Sequence, residues 1–448
     1  MLDAPRPVST AVPTAVPARH APADGPGEPL RTTPPPRPSP SHRSDGRSST
    51  AHPTAGPPSA RRAAELRSTG RRPARHAAPG RPSRVTGEVL VLTGSVGAGH
   101  DGASRELARR LTVRGAHVVV RDYLDALPRP SRWLLKDLYG PVVQHAPHVF
   151  EGVFDGLEHD GPVRRATAAI CRQAQDAVAG WAAGADLVVS TYPLASQTLG
   201  ELRRQGRLPA PAATYLTDPA VHALWVHPLL DAHLTVTTAT ALDAARYGVT
   251  ATASGPLTAP VRTGGRSRAR VRRELGLPDA APVVLTSGGS LGMGDVHRTV
   301  NDLTLDPHVH VVVLCGRNER LRQRLSRRPR VVALGWRDDV AALMGAADVL
   351  VHNAGGLSLT EALAAGLPAV TYRPIAGHGR ANAQVLEDAG IAPWPRTAQR
   401  LAAAVRAVAA SGVRSRPDGE HWPRGADPAG VVAGLMAGAA APRTGGRR

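Results

Sequence analysis

A glycine-rich loop near the start of the ordered-looking sequence holds the first residues that could do chemistry. The stretch GSVGAGHDGAS follows the apolar run EVLVLT. Gly97, Gly99 and Gly102 have the spacing of a dinucleotide-binding loop, and Asp122 lies 20 residues beyond Gly102, near where a ribose-binding acid would stand. His100 interrupts this pattern, because an imidazole would crowd a pyrophosphate. The loop therefore predicts either a nicotinamide-dependent oxidoreductase or a site in which His100 is the reactive group.

A second glycine loop, SGGSLGMGD, occurs in the later half of the chain. Gly288, Gly289 and Ser290 follow an apolar run there, and glycines allow backbone N–H groups to approach a phosphate closely. A tight structural turn is the alternative interpretation of this loop.

The loop HNAGGLSLTEALAAGLP adds a carboxylate to the same pattern. Asn353, Gly355 and Gly356 predict an anion-accepting turn, and Glu361 falls on the first turns of the following helix. A carboxylate there would accept hydrogen bonds from a ribose diol but would repel a phosphate beside it. One carboxylate for a sugar and backbone amides for phosphate describe a nucleotide site, so the sequence predicts one in this half of the chain.

Short apolar runs precede these loops and predict the elements that position them. Such runs, separated by helix-like segments, are typical of parallel sheets with crossover helices. The predicted strands are 88–94, 116–124, 185–191, 212–218, 231–237, 282–290, 309–316, 330–336, 347–353 and 367–373. Two prolines and three glycines between residues 253 and 265 predict a hinge. The fold class is therefore α/β, with two successive Rossmann-like domains.

These patterns divide the chain into four parts. Residues 1–84 are rich in Pro, Ser, Arg and Gly and poor in large apolar residues, which predicts a disordered tail. Residues 85–258 and 259–395 are the two predicted Rossmann-like domains, and residues 396–448 are a helical segment and tail.

The charge of the chain is concentrated in that first part. The formal net charge is +19, and residues 1–84 carry 14 Arg against five acidic residues. The excess lies in a Pro-broken stretch without interleaved aromatic residues, so no nucleic-acid partner is expected. Biased composition explains the Arg content most simply, and attraction to an anionic lipid surface is the functional alternative.

The cysteine count and the hydropathy pattern indicate a cytoplasmic compartment. Cys171 and Cys315 cannot form a disulfide framework or a four-ligand zinc site. No apolar run approaches the ~20 residues that cross a bilayer, and the first residues lack the apolar core of a signal peptide. We therefore expect a soluble or peripheral protein.

Two smaller patterns allow competing interpretations. His222, Trp225 and His227 resemble metal-ligand spacing, but Trp is not a ligand and no further ligands cluster nearby, so no metal site is expected. The aromatic-containing segment 131–154 is either core packing or a lipid-facing acceptor patch around Trp133 and Tyr139.

The loops together resemble a known family. The stretch HNAGGLSLTEALAAGLPAVTYRPIAGHGRANAQVL resembles the donor-nucleotide motif of GT-B glycosyltransferases. The similar branch contains monogalactosyldiacylglycerol synthases, bacterial diacylglycerol glucosyltransferases and the peptidoglycan N-acetylglucosaminyltransferase MurG. GSVGAGHDGAS resembles that family's first loop, G-x-G-H-x-x-x-A, with Ser104 in place of the last Ala. TDPAVHALWVHPLLD resembles the T-D-x-x-x-H-x-x-W motif of its diacylglycerol branch, through Thr217, Asp218, His222 and Trp225.

The resemblance implies a fold and a donor site. In the GT-B fold, two Rossmann-like domains face each other across a cleft, and the C-terminal domain holds a UDP-sugar. The resemblance implies that Gly288, Gly289, Ser290 and the glycines at 355 and 356 meet the diphosphate and that Glu361 binds the ribose. It also places Trp336 and Arg337 at the uracil wall and His378 and Asn382 in the stretch facing the donor sugar.

The resemblance also implies an acceptor side and a reaction. The N-terminal domain would take the acceptor near Gly97, Gly99, His222 and Trp225, with His100 at the cleft. An inverting transfer needs a base for the acceptor hydroxyl, and His100 has a suitable ordinary pKa near 6.5. Some family members carry an acid where this chain has Ser95, which shifts the expected catalytic role to His100 or Asp218. Asp218 could instead brace the turn before Pro219.

The function implied by the resemblance is hexosyl transfer from a UDP-sugar to a lipid acceptor, in diacylglycerol-type glycolipid synthesis. No cofactor or metal is expected, because backbone amides can stabilise the diphosphate and no D-x-D stands in a suitable loop. The enzyme would contact an anionic membrane peripherally, at the inner face of the cell membrane. The alternatives are a polyprenyl-linked or soluble acceptor and an NAD-dependent oxidoreductase.

Overall fold

The structure is a computed structural model that describes residues 86–259, 267–290, 292–353, 356–411 and 419–440. The predicted disordered tail, residues 260–265 of the predicted hinge and Gly355 lie outside these ranges.

The first domain is built on a parallel sheet with the order β2-β1-β3-β4-β5-β6 within the described residues. Its strands are β1 (Glu88–Thr93), β2 (His117–Asp122), β3 (Leu187–Ser190), β4 (Ala212–Leu216), β5 (Ala232–Thr235) and β6 (Ala251–Ala253). Its helices are α1 (Ala98–Val113), α2 (Arg129–Lys136), α3 (Tyr139–His145), α4 (Pro147–Glu158), α5 (Pro162–Ala182), α6 (Pro193–Arg204) and α7 (Thr238–Ala244). Strands β3 and β4 are buried along their whole length, as both-face coverage by helices requires.

The second domain repeats this plan with the parallel order β11-β10-β7-β8-β9 in the part of the chain that is described. Its strands are β7 (Val283–Ser287), β8 (His310–Leu314), β9 (Val331–Leu334), β10 (Val349–His352) and β11 (Ala369–Thr371). Its helices are α8 (Arg268–Glu274), α9 (Val296–Leu303), α10 (Glu319–Leu325), α11 (Val340–Ala346), α12 (Leu357–Ala364), α13 (His378–Asp388) and α14 (Ala398–Ala410).

The last described helix, α15 (Pro428–Ala440), returns to the first domain and packs against α1. The side chain of Asp427 at its start pairs with Arg110 and Arg114 of α1. The C-terminal segment therefore joins both domains, because α14 packs on β10 and β11 of the second domain.

The ten strands predicted from apolar runs are all present, which confirms the α/β fold class. Strand β6 was not predicted, because its sequence ATA has no large apolar side chain. No helix in the described ranges is both long enough and apolar enough to cross a membrane.

The strand register places the predicted loops together. Leu92 of β1 lies opposite Ser190 of β3, so the loops that follow these strands leave the sheet side by side. In the second sheet His352 of β10 lies opposite Ser287 of β7, which brings the two glycine loops of that domain together. Ligands of open parallel sheets bind at this carboxyl edge.

Candidate active site

A cleft of about 610 Å³ lies between the carboxyl edges of the two sheets. This volume is within the range of small-molecule sites. Predicted residues of the first domain that line it are Gly97, Gly99, His100, Tyr139 and Asp218. Those of the second domain are Gly288, Gly289, Ser290, Trp336, Arg337, Asn353, Gly356, Glu361 and His378. The two predicted site regions therefore meet in one cavity.

His100 lies in the first turn of α1 and is held from several sides. Its Nδ1 atom is 2.7 Å from the carbonyl oxygen of Thr191 and 3.2 Å from Thr217 Oγ1. A carbonyl can only accept, so Nδ1 carries the proton in the neutral ring and Nε2 is the basic nitrogen. Burial lowers the pKa of His100 below its ordinary value, against the opposing effect of Asp218. The ring is therefore neutral at physiological pH.

Asp218 stands at the centre of a group of imidazoles. Trp225 Nε1 donates a hydrogen bond of 3.1 Å to Asp218 Oδ2. Burial alone would raise the pKa of Asp218, but the nearby His378, His100 and His222 more than offset this and lower it. Asp218 is therefore an ionised carboxylate facing the cleft rather than a simple turn brace.

The loop after β7 presents backbone groups to the cleft. Gly289 has a φ of +71°, which a side chain would strain, and its N–H donates to Ser287 Oγ at 3.1 Å. The loop is held from behind, because Ser290 O accepts from Arg317 N at 2.9 Å. Asn353 braces the same loop through a 2.8 Å hydrogen bond from Nδ2 to Met293 O. Its side-chain amide therefore supports the glycine loop after β7.

Glu361 lies one turn into α12, on the cleft wall. Burial raises the pKa of its carboxyl to about 7. No hydrogen bond to this carboxyl occurs among the described residues, so its oxygens are available to a ligand. A partly buried carboxyl without protein donors suits a ligand that brings its own hydroxyl donors.

Trp336 and Arg337 form a half-exposed wall of the cleft. The guanidinium carbon of Arg317 lies 5.1 Å from the centroid of the Trp336 indole ring, a cation–π arrangement. Arg337 pairs with Asp339 at 2.7 Å, which fixes its guanidinium beside the wall. A flat aromatic surface of this kind can stack on a planar base.

Four predicted ligand-binding residues of the described ranges do not line the cleft, and the exposed Trp133 is one of them. Trp225 is 0% exposed and donates its indole N–H to Asp218, so its contact with the acceptor stays a prediction. His222 is also buried, and its ring packs against Phe154 with centroids 5.4 Å apart. Asn382 is 1% exposed, and its Oδ1 atom accepts a hydrogen bond from Ala220 N in the loop after β4.

The aromatic segment 131–154 divides between the two interpretations. Tyr139 lines the cleft, whereas Trp133 lies on the outer surface of α2 with 55% of its area exposed. Leu134 beside it is 48% exposed. This part of the segment is therefore an exposed apolar surface, outside the core and outside the cleft.

The features that suggested a nicotinamide site have other roles. Asp122 Oδ1 accepts hydrogen bonds from Leu124 N at 3.0 Å and Ser95 N at 3.3 Å, so it caps backbone. A Cβ at Gly102 would lie 2.9 Å from Leu357 Cδ2, so this glycine faces α12 of the other domain.

Sequence reasoning missed several cleft residues. Arg105 lines the cleft from α1, and His352 lines it from the end of β10. The helical spacing of Arg105 from Ala98 and Gly102 was the available signal. His352 lies near the end of the predicted strand 347–353 and is the last residue of β10, which the topology places at the ligand edge.

A search of the described residues finds no group of His, Cys, Asp and Glu side chains arranged to hold a metal ion. Metal independence stays a prediction, which activity in the presence of a chelator would test.

Two family models match the two parts of the chain that form this site. Residues 100–261 match the model of the monogalactosyldiacylglycerol (MGDG) synthase family, and residues 292–411 match that of glycosyl transferases group 1. The chain is 28% identical over 216 residues to a processive diacylglycerol beta-glucosyltransferase of Bacillus pumilus (strain SAFR-032), covering 46% of this chain and 56% of the relative. It is 25% identical over 339 residues to monogalactosyldiacylglycerol synthase 1, chloroplastic, of Arabidopsis thaliana, covering 70% and 63%.

The match to the Bacillus pumilus enzyme thus spans about half of that relative's length. Among solved structures, Acinetobacter baumannii MurG superposes with a TM-score of 0.49 at 19% identity, covering 78% of this chain and 99% of that chain. Residues 100–261 are thus similar to the monogalactosyldiacylglycerol synthase family and residues 292–411 to the group 1 glycosyl transferases, which confirms the resemblance of the sequence motifs.

Proposed function

We propose that this protein transfers a hexosyl group from a UDP-sugar to a diacylglycerol-type lipid acceptor, with inversion at the anomeric carbon. The observation that carries the proposal is the single cleft in which His100 of one domain faces the glycine loop and Glu361 of the other. The named relatives, a diacylglycerol beta-glucosyltransferase and a monogalactosyldiacylglycerol synthase, support this choice of donor and acceptor.

The second domain supplies the donor chemistry. In this proposal the backbone amide of Gly288 and the backbone amides at the start of α12 bind the diphosphate, as glycine loops and helix N-termini do for anions. The carboxylate of Glu361 accepts hydrogen bonds from the ribose hydroxyls, and the Trp336 ring stacks on the uracil. The same amides stabilise the negative charge that develops on the departing diphosphate.

The first domain supplies the base. The Nε2 atom of His100 takes the proton of the acceptor hydroxyl as its oxygen forms a bond to the anomeric carbon. The bond from that carbon to the β-phosphate oxygen breaks, and UDP leaves with the electron pair. Asp218 stabilises the imidazolium that forms, because its carboxylate lowers the energy of a neighbouring positive charge.

The acceptor is proposed to reach the cleft from a membrane. The exposed side chains of Trp133 and Leu134 on α2 give an apolar surface in the domain that would bind the acceptor. Aromatic and aliphatic side chains of this kind insert into the headgroup region of a bilayer. We place the enzyme in the cytoplasm, in peripheral contact with the inner face of an anionic membrane.

A panel of donors and acceptors tests the proposal. The full chain is incubated with radiolabelled UDP-glucose or UDP-galactose and with diacylglycerol vesicles, a polyprenyl-linked sugar or a soluble alcohol. A labelled glycolipid from the diacylglycerol arm is the expected result. Product from another acceptor alone would retain the donor assignment and contradict the lipid assignment.

Binding of the free nucleotide provides an independent check. UDP should raise the unfolding temperature, because a ligand that binds only the folded state stabilises it by mass action. Stabilisation by NAD and not by UDP would overturn the transferase proposal in favour of the oxidoreductase.

A further inference from the structure

The side chain of Asn382 connects the two domains beside Asp218, the proposed partner of the base His100. It lies on α13 of the second domain and is 1% exposed. Its Oδ1 atom accepts a hydrogen bond of 2.8 Å from Ala220 N, in the loop that follows β4 of the first domain. Its Nδ2 atom lies 3.4 Å from Asp218 Oδ1. One amide therefore contacts both the backbone and the carboxylate of this loop.

The two oxygens of Asp218 are held by donors from different domains. Trp225 Nε1 of the first domain donates to Oδ2 at 3.1 Å, and Asn382 Nδ2 of the second domain faces Oδ1. Two donors on opposite oxygens fix the rotation of a carboxylate, because turning it would break one of them. The direction in which Asp218 presents its charge to His100 thus depends on a residue of the donor-binding domain.

The start of α13 is seated firmly on the first domain. A Cβ at Gly377 would lie 3.0 Å from the Phe150 ring of α4, which leaves no room for a larger residue at its φ of +65°. The ring of His378 packs against Phe150 with centroids 5.8 Å apart. His378 and Asn382 are one turn apart and therefore share a helix face.

We infer that Asn382 is a positioning residue, which orients the Asp218 carboxylate toward His100. The pairing of His100 with Asp218 therefore depends on contact between the two domains. This inference rests on the proposed function, in which His100 is the base. It replaces the contact with the donor sugar that the family resemblance implied for Asn382.

The charged surroundings of Asp218 define the test. Its titratable neighbours are His100 of α1, His222 of the loop after β4, His378 of α13 and Tyr139 of α3. Asn382→Asp keeps the size of the side chain and the acceptor for Ala220 N. It replaces the donor near Asp218 with a second carboxyl, whose ionised form adds negative charge near His100 and so favours the imidazolium.

The first measurement is an NMR titration of His100 in the full chain, assigned by the signal missing in His100→Ala. We expect Asn382→Asp to raise the pKa of His100 by about one unit. Gln384→Glu is the matched control, since it adds the same charge two residues along α13 on an exposed side chain that pairs with Asp388. An unchanged His100 pKa in Asn382→Asp, or an equal shift in the control, would overturn the inference whether or not the protein is a transferase.

The second measurement separates positioning from sugar binding. In the transferase assay, Asn382→Ala should lower kcat by about 10- to 100-fold, as expected for loss of orientation at the base. The KM for the UDP-sugar should stay within about twofold, and Asn382→Asp should move the acid limb of kcat/KM to higher pH. A raised UDP-sugar KM with an unmoved acid limb would show that Asn382 contacts the donor. Absence of activity in the unmodified chain would contradict the proposed function alone.

Discussion

At the scale of single residues, the chemistry of the cleft depends on which atoms already have partners. His100 has its Nδ1 atom 2.7 Å from the Thr191 carbonyl, so only Nε2 can act as a base. Burial raises the pKa of the Glu361 carboxyl to about 7. No side chain or backbone group of the described residues donates a hydrogen bond to this carboxyl. In the proposed function, His100 therefore accepts the acceptor proton at Nε2, and Glu361 binds a ligand that brings hydroxyl donors.

The raised pKa of Glu361 predicts opposite effects on stability and on binding. Its pKa is about 7 in the folded protein and has an ordinary value of 4.5, so between these pH values the carboxyl is protonated in the folded state and ionised in the unfolded state. The free energy of unfolding therefore falls as pH rises from 4.5 to about 7. Glu361→Gln removes this penalty. We expect it to raise the free energy of unfolding at pH 8 by about 1–3 kcal/mol and to weaken UDP binding about tenfold or more.

Urea unfolding and calorimetry of UDP binding measure these two quantities. At pH 4 the Glu361 carboxyl is protonated in both states, so the variant should then match the unmodified protein in stability. Equal stability at pH 8, or unchanged UDP affinity, would contradict the role given to Glu361.

The sequence predicted the types of the site residues better than their contacts. His100, Asp218 and Glu361 lie in the cleft because each follows a strand at the carboxyl edge, a position that topology dictates. Trp225, His222 and Asn382 belong to the same motifs but are buried, because their side chains pack behind the cleft wall. Motif spacing along the chain does not determine which side of a wall a residue occupies.

At the scale of elements, the geometry of the glycine loop after β7 depends on the neighbouring loop. Gly316, just after β8, has a φ of +57°, and a Cβ there would lie 2.4 Å from Ser290 O. That contact is with backbone, which cannot rotate away as a side chain could. The glycine at the end of one strand therefore determines the position of the loop after its neighbour.

Gly316→Ala should displace the glycine loop after β7, and we therefore expect UDP affinity to fall about tenfold. The free energy of unfolding should also fall by ~1–2 kcal/mol, because a left-handed conformation is unfavourable for a non-glycine residue. Gly276→Ala is the control, because its φ of +66° is similar and nothing lies within 4 Å of its Cβ position. Calorimetry with UDP should show a loss for Gly316→Ala and a change of less than about twofold for the control. Equal losses of affinity would contradict this account of the loop.

Most strands were predictable because they are short apolar runs buried on both faces, although the edge strand β2 contains no buried residue. VVLTS of β7 and AATYL of β4 are buried along their whole length. Strand β6 escaped prediction, because ATA joins the sheet edge through its backbone hydrogen bonds to β5 rather than through apolar side chains. Periodicity reports side-chain burial and cannot detect a strand held by its backbone alone.

At the scale of the whole molecule, the two domains are joined by more than their linker. Helix α15 returns to α1, where Asp427 pairs with Arg110 and Arg114. Helix α13 contacts the loop after β4 through Asn382. The sequence could predict two domains from the repeated alternation of strands and helices. It could not predict these connections, because they join residues that are 162 to 317 positions apart.

The exposed face of α2 predicts how the protein would meet a membrane. Trp133→Ser combined with Leu134→Ser should lower partition onto anionic vesicles about tenfold or more, because burying each such side chain contributes about 1.5–3 kcal/mol. Vesicle flotation measures this. Leu242→Ser, on α7 with 71% of the Leu242 side chain exposed, is the control for the loss of a surface apolar residue. If Leu242→Ser lowered vesicle binding as much as the double change at Trp133 and Leu134, a specific membrane surface on α2 would be contradicted.

The central claim is that His100 transfers a proton while a hexosyl group passes across the cleft. Its most direct test is the rate of labelled glycolipid formation from a UDP-hexose and diacylglycerol vesicles, by the unmodified chain and by His100→Ala. We predict a product of inverted anomeric configuration and a kcat lowered about 10²- to 10⁴-fold in the variant, with UDP affinity retained. A variant that forms the glycolipid at the unmodified rate would contradict the account.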